Sequence, residues 1–299
     1  MAFDPVKETG GALFVVATPI GNLEDITLRA VKCLKEVDLI ACEDTRRMAK
    51  LLNVLGIKKP VISCFEHNER ARVEEILGRV ERGDQVALVS DAGTPTISDP
   101  GFVLVRAARE RGLTVTPIPG PSAIIAALSV SGLPTDEFLF AGFLPRTGSA
   151  RRSRLETLKP LASTLVFYES PHRVKDAIAD MTLVLGDREA FLCREVTKIH
   201  EELKRAPLSE LRRDLSDRDQ VLGEIVLVVA GAPTANPPPR TIEAALVLFD
   251  QQVAEGSTPR QAAKVAARAT ALLARDIYAR AANRERPAGA RPAVDKSAL

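Results

Sequence analysis

Residues 85–101 read QVALVSDAGTPTISDPG. The first six form a short continuous apolar run of the kind that makes a buried strand. From Ser90 to Gly101 the chemistry is that of turns, and at 12 residues this stretch is long for a strand-to-helix connection, where about 2–6 residues are usual. Gly93 permits close backbone approach, and Pro95 and Pro100 stiffen the loop. A helix is expected at 102–111, stopped by Gly112, and then a strand at 113–118. Strand, stiff loop, helix, strand is the unit of an open α/β sheet, whose ligands bind beyond the carboxyl ends of its strands. The plainer alternative is a purely structural Ω-type loop.

The same alternation extends both ways. Upstream lie strand 12–17, helix 26–36, strand 37–42, helix 46–55 ended by Gly56, strand 61–64 and helix 69–82 ended by Gly83. Downstream, PIPGPS at 117–122 is a stiff link into a small-residue helix that ends at Gly132-Leu133-Pro134. A second series follows: strand 138–143, a basic loop at 146–154, strand 163–168, helix 172–184, strand 189–194, a charged helical region at 201–215 and strand 223–230. The first alternation implies a mostly parallel sheet with helices on its faces, and the expected fold class is α/β, with two α/β domains, 12–118 and 122–231, and a cleft between them. Four prolines in 232–240 make a rigid linker. An Ala-rich helical appendage at 241–283 and a disordered tail at 284–299 complete the chain.

The 299 residues suit about two domains. Hydrophobic residues make up 45% and charged residues 27%, which excludes a disordered or fibrous chain. Lys and Arg number 41 against 39 acids, a net +2, so there is no overall basic coat of the kind that marks nucleic-acid binders. Charge is nevertheless concentrated. Residues 240–299 hold 10 bases and 6 acids, and Arg146–Arg154 holds four arginines and no acid. Cys33, Cys42, Cys64 and Cys193 form no CxxC pair, and His67, His172 and His200 lack zinc spacing. We expect no metal, a reducing compartment and a cytoplasmic location.

Five further loops stand at strand or link ends. Ala17–Asp25 follows the first strand without the Gly-x-Gly-x-x-Gly or Walker spacing; its plainer reading is a turn capped by Asp25. Glu43-Asp44-Thr45-Arg46-Arg47 places acids and arginines after the second strand, either as base and phosphate clamp or as an Asp44/Thr45 helix cap. Pro119–Ala123 sits at the domain seam, with Ser122 in capping position. Phe167–Arg173 and Cys193–Glu202 complete the set. No Gly-x-Ser-x-Gly elbow supports hydrolase chemistry.

Taken in order, VATPIGNLEDITLRA, ACEDTR, SDAGTPTISDPG, PIPGPSAIIAALSVSG, VFYESPHR and LCREVTKIHEE span about residues 12–231. Together they resemble the tetrapyrrole methylase-like (class III) S-adenosylmethionine methyltransferases. Among these they are most similar to the bacterial branch that methylates a cytidine ribose 2′-oxygen in the decoding region of 16S rRNA. The resemblance implies two α/β domains of that type, S-adenosylmethionine bound in their cleft, a homodimer, and 16S rRNA within the small subunit as partner. It assigns Ile20, Gly93, Thr94, Pro95, Ile97, Ser122, Ala123, Tyr168, Val229 and Ala230 to the cofactor. Relatives acting on porphyrinogens carry Gly-Asp-Pro where this chain has Gly93-Thr94-Pro95, which argues against a tetrapyrrole substrate. At the C-terminus a helix-turn-helix outline persists, but ALLAR at 271–275 replaces the usual polar turn.

A ribose hydroxyl must lose its proton near the transition state, and a carboxylate or lysine can take it. Glu43, Asp44, Asp91, Glu169, Glu195 and Lys198 stand at strand ends. Glu43 or Asp44 is favoured as base, with Arg46 on phosphate. Arg146, Arg151, Arg152, Arg154, Arg173 and Lys198, with the basic C-terminal segment, are the expected RNA contacts. The alternatives are a tetrapyrrole methyltransferase and a non-catalytic RNA-binding or ribosome-assembly module, which need not bind the cofactor.

Overall fold

A computed structural model describes residues 10–65, 69–233 and 241–284. The elements run β1 Ala12–Val16, α1 Leu28–Glu36, β2 Leu39–Cys42, α2 Thr45–Val54, β3 Val61–Ser63, α3 Glu69–Glu81, β4 Gln85–Val89, α4 Phe102–Glu110 and β5 Thr114–Ile118. These strands form one wholly parallel sheet in the order β3-β2-β4-β1-β5. Side-chain alternation explains its two-sided burial. Phe14, Val16, Ile40, Ala87 and Val89 pack against α1 and α2 on one face, while Leu13, Leu39, Ala41, Val86 and Leu88 pack against α3 and α4 on the other. Neighbours β1 and β4 send their connections to opposite sides, to β2 and β5, so a switch point opens at their carboxyl ends.

The second lobe comprises α5 Ala123–Ser131, β6 Phe138–Phe143, α6 Gly148–Leu158, β7 Thr164–Glu169, α7 Val174–Leu185, β8 Glu189–Arg194, β9 Glu202–Pro207, α8 Leu208–Ser216 and β10 Ile225–Val229. Its sheet order is β6-β7-β10-β8-β9. In contrast to the first sheet, only β6–β7 is parallel here, and β10 runs antiparallel to both its neighbours. Val166, Phe191, Cys193, Val226 and Val228 face α5, whereas Leu165, Phe167, Leu192 and Leu227 face α6, α7 and α8.

Two local expectations are also corrected. The basic stretch 146–154 is not a loop. Residues Gly148–Leu158 form α6, with Arg151, Leu155 and Leu158 buried at helical spacing on one face. Arg151 Nε lies 2.6 Å from Asp180 Oδ2 on α7, with the side chains only 7% and 11% exposed, and Arg152 Nη1 reaches Oδ1 at 3.0 Å. Deleting one partner of such a buried pair leaves an uncompensated charge at a cost of about 3–5 kcal/mol. The charged region 201–215 begins as edge strand β9 and turns helical only at Leu208. Glu, Lys and Arg are what an edge strand uses to discourage further pairing, and they hide its strand character.

Among the described residues, those of the two lobes up to Ala232 form one compact unit and those from Pro233 onward a second. That second unit contains α9 Ile242–Ala254, α10 Pro259–Thr270 and α11 Ala274–Arg284 around a core of Leu246, Phe249, Ile277 and small alanines. Thr258 and Gln261 form a capping box at the start of α10. Most of the expected linker, the tail beyond Arg284 and His67 lie outside the described residues. Among the described residues no helix is long and apolar enough to cross a membrane.

One buried carboxylate anchors the far end of the long loop. Helix α4 starts at Gly101, which has no side chain to cap it. Glu69, only 5% exposed, supplies the acceptor instead: its Oε1 takes hydrogen bonds from Gly101 N at 3.1 Å and Leu104 N at 3.0 Å. Removing it leaves buried N–H groups unmet, which costs about 1–3 kcal/mol. Urea unfolding should therefore show Glu69→Ala destabilised by that amount. Glu69→Gln, which keeps an acceptor, should lose clearly less; equal losses would refute the capping role.

Candidate functional site

A cavity of about 400 Å³ opens at the switch point between the two sheets, within the usual range for small-molecule sites. Three loops of the first lobe build its floor. The loop after β1 is fastened to the loop after β4 by reciprocal backbone hydrogen bonds, Thr18 N to Gly93 O at 2.9 Å and Gly93 N to Thr18 O at 3.0 Å. The loop after β2 joins through Asp91, whose Oδ1 accepts from Asp44 N at 3.0 Å and whose Oδ2 pairs with Arg47 Nη1 at 3.0 Å. Thr94 Oγ1 donates to Pro121 O at 3.4 Å and so ties the loop to the link between the lobes. Thr96 and Ser98 hold positive φ, at 76° and 61°, conformations that non-glycine residues keep only where surroundings enforce them.

The second lobe closes the site with the C-terminal end of β7, the start of β10 and α5. Tyr168 packs edge-on against Phe140 at 4.9 Å between ring centres and lies 5.6 Å from Phe143. Cys193, Val196, Ile225 and Val226 supply apolar wall, and Gly223 and Glu224 form the lip. Glu169, with no exposed side-chain surface, accepts from Ser170 N at 2.9 Å through Oε1 and pairs with Arg173 Nε at 3.5 Å; its Oε2 meets no donor among the described residues.

The lining is acidic. Burial raises the Glu43 carboxyl above the ordinary range, and Asp91 and Asp99 add to it, against Arg47 and an Asp91 backbone hydrogen bond. Burial likewise raises Asp99, with repulsion from Asp91 and Glu224 opposed by a Ser90 hydrogen bond. Glu169 is raised by burial in spite of the Ser170 amide, Arg173 and Arg151. The Tyr168 hydroxyl is pushed up to about 12 by burial, then Asp99 and Glu224. The Cys193 thiol also reaches about 12, through burial and then Glu201. Such displaced groups gathered in a cleft mark a functional site.

Of the residues expected at the cofactor, Ile20, Gly93, Thr94, Ile97, Ser122 and Ala123 line the cavity together with Tyr168. Ser122 takes the cap position of α5 but makes no capping bond. Pro95 is not in the lining. Val229 and Ala230 do not line this cavity either, for a simple reason. Because β10 is antiparallel to β7, Ile225 stands beside Glu169 at the cavity while Val229 stands beside Leu165 at the other end. Ile225 and Val226 take their place. They were hidden because the start of the strand, not its end, faces the site.

Of the catalytic set, Glu43 lines the cavity and Asp44 and Arg46 do not. Asp44 caps α2 and grips the exposed Arg46 at 3.0 Å, which holds its carboxyl down to about 2 through that hydrogen-bonded pairing. Arg47, Asp99 and Glu224 also line the site; the first two belong to loops the sequence singles out, and Glu224 stands just before β10. Among the expected RNA contacts, Arg146 and Arg154 are exposed. Arg151 is buried against Asp180, so its expected role at a phosphate does not fit its surroundings. Arg173 braces the backbone carbonyls of Leu144 and Pro145, and Lys198 is held between Glu195 and Glu224.

Residues 12–212 match the family of Tetrapyrrole (Corrin/Porphyrin) Methylases. The chain is 46% identical over 279 residues to the ribosomal RNA small subunit methyltransferase I of Pseudomonas aeruginosa, covering 93% of this chain and 99% of that one. It is 49% identical over 221 residues to the protein of the same name from Thermotoga maritima, covering 74% and 99%. Among solved structures it resembles diphthine synthase, with a TM-score of 0.54 and 18% identity over 74% of this chain and 90% of that one. It also resembles the uroporphyrin-III-C-methyltransferase of Thermus thermophilus, with a TM-score of 0.52 and 20% identity over 74% and 94%. At those identities the two structures speak to the fold alone. The chain belongs to the tetrapyrrole methylase family and, within it, to the ribosomal RNA small subunit methyltransferases I.

Proposed function

We propose that the protein transfers a methyl group from S-adenosylmethionine to the 2′-oxygen of a cytidine ribose in the decoding region of 16S rRNA, within the small ribosomal subunit. The observation that carries this reading is the acidic, half-apolar cavity at the switch point of a chain whose relatives bear the rRNA methyltransferase name. The residues present suit the cofactor. Ile20, Ile97, Val196, Ile225 and Val226 offer apolar wall to a nucleobase, and Asp91, Asp99 and Glu224 offer negative charge to a sulfonium and an ammonium.

When bound, S-adenosylmethionine supplies a methyl group already activated on a sulfonium. What remains for the chain is alignment and proton removal. We assign proton removal to Glu43. It faces the cavity, and its raised carboxyl is a stronger base than an ordinary glutamate, whereas Asp44 is held too acidic by Arg46. The base works only when ionised, so methyl transfer should fall as pH drops through a value above the ordinary carboxylate range. Glu43→Gln should bind S-adenosylhomocysteine normally yet lose about 100-fold or more in rate, in line with general-base contributions. Asp44→Asn should stay near wild type. An Asp44→Asn collapse with Glu43→Gln intact would reverse the assignment.

RNA contact is assigned to the exposed Arg146 and Arg154, with Arg152 partly shared with Asp180, and to α10. On α10, Arg260, Lys264 and Arg268 recur every four residues on one exposed face, with no ion-pair partner among the described residues. A homodimer and a cytoplasmic location belong to the same proposal. Exposed Ile125 and Val130 on the apolar α5 support the former, and four buried free thiols accord with the latter. The deciding experiment supplies labelled S-adenosylmethionine to small subunits from cells lacking this protein. Label in a ribose-methylated cytidine is expected; label elsewhere, or none, overturns the reading. Arg146→Glu with Arg154→Glu should flatten the salt dependence of RNA affinity by about one unit of slope per lost phosphate contact.

A further inference from the structure

The loop after β1 and the turn after β8 meet at the lip of the cavity. Gly21 follows the cavity residue Ile20, and its backbone lies flat on the second lobe. A Cβ at position 21 would overlap Lys198 Cγ and stand 2.9 Å from Thr197 Oγ1 and 3.0 Å from Lys198 Cε. Beyond that contact, the Lys198 ammonium lies 2.8 Å from Glu195 Oε1 and 3.0 Å from Glu224 Oε2. Glu195 and Glu224 are also stitched through their backbones. Glu195 N donates to Glu224 O at 2.9 Å, and Glu224 N donates to Glu195 Oε1 at 2.9 Å. Gly223 has to lack a side chain, because a Cβ there would run into the Glu195 carboxylate.

The turn that presents Lys198 is strained and over-determined. Glu195 and Thr197 hold φ at 51° and 68°, enforced by Lys198 N to Glu195 O at 3.0 Å and Thr197 N to Glu201 Oε2 at 2.7 Å. A surface lysine needs none of this. Its charge is engaged by two carboxylates, and its stem fills the space left open by the missing side chain of Gly21 on the opposite lobe.

We propose that Lys198 is a positioning residue that latches the two lobes across the cavity lip, its stem seated on Gly21 and its ammonium joining Glu195 to Glu224. The latch keeps Ile20 of the first lobe and Glu224 of the second at a fixed separation around the ligand. The proposal rests on the reading of the cavity as the methyl-donor site. Lys198 touches no reacting atom in this arrangement, so it acts on binding and not on the chemical step.

The test is calorimetric titration of the full-length protein with S-adenosylhomocysteine, using wild type, Lys198→Met, Lys198→Arg, Gly21→Ala and the double variant Gly21→Ala/Lys198→Met. Lys198→Met and Gly21→Ala should each weaken binding about tenfold, and the double variant should be no weaker than the worse single, since both act through the placement of one side chain, its stem on Gly21 and its head between the carboxylates. Lys198→Arg, which can still reach both carboxylates, should recover most of the loss. In Lys198→Met the KM for the methyl donor should rise while kcat stays near wild type, and amide exchange should quicken at residues 20–24, to which Lys198 makes no hydrogen bond. Should Gly21→Ala fail to fold, Lys198→Met with its arginine rescue decides alone. Near-wild-type binding by Lys198→Met, or losses that multiply in the double variant, would overturn the latch. A wild-type protein that does not bind S-adenosylhomocysteine would instead bring down the cavity reading beneath it.

Discussion

Two backbone hydrogen bonds between Thr18 and Gly93 are the constraint on which the site depends. They join the carboxyl ends of two neighbouring parallel strands, where a doubly wound sheet would otherwise only gape. With that joint made, the loop after β4 becomes a hub. Asp91 reaches the loop after β2, Thr94 reaches the link to the second lobe, and Glu69 pins the exit into α4. Two stiffening prolines and two strained residues fit a segment with so many attachments. A loop of this length would ordinarily be mobile; here its ends and middle are all anchored.

The price of the site is electrostatic. Glu43, Asp99 and Glu169 are all raised, mainly by burial, so each would be easier to ionise in the unfolded chain. A group whose folded pKa is raised favours folding where it is protonated. That support fades as pH climbs from the unfolded toward the folded value, and at neutral pH the three oppose folding. Their retention around one cavity is the usual trade between stability and function.

Much of this was legible because parallel sheets write themselves plainly. Short apolar runs with turn residues between them place every strand of the first lobe to within a residue or two, and the loops that follow them supply Ile20, Glu43, Thr94 and Ile97. The second lobe was less readable for three physical reasons. Strand direction leaves no trace in a single buried run such as β10, so Ile225 and Val226 were exchanged for Val229 and Ala230. Charges that blunt the edge strand β9 resemble those of a solvated helix. Arginine reads as surface until a partner is seen, and Asp180, 29 residues beyond Arg151, announces nothing in advance.

The cavity wall also contains a sulfur. Cys193 lines the pocket, and burial holds its thiol at about 12. A thiolate is the strongest nucleophile a protein side chain commonly offers. If the cavity takes an electrophilic methyl donor, as proposed, an ordinary cysteine beside it would compete for the methyl group and consume the enzyme. Kept protonated in an apolar wall, Cys193 adds a soft, polarisable surface without that rivalry, and the intended acceptor has no internal competitor.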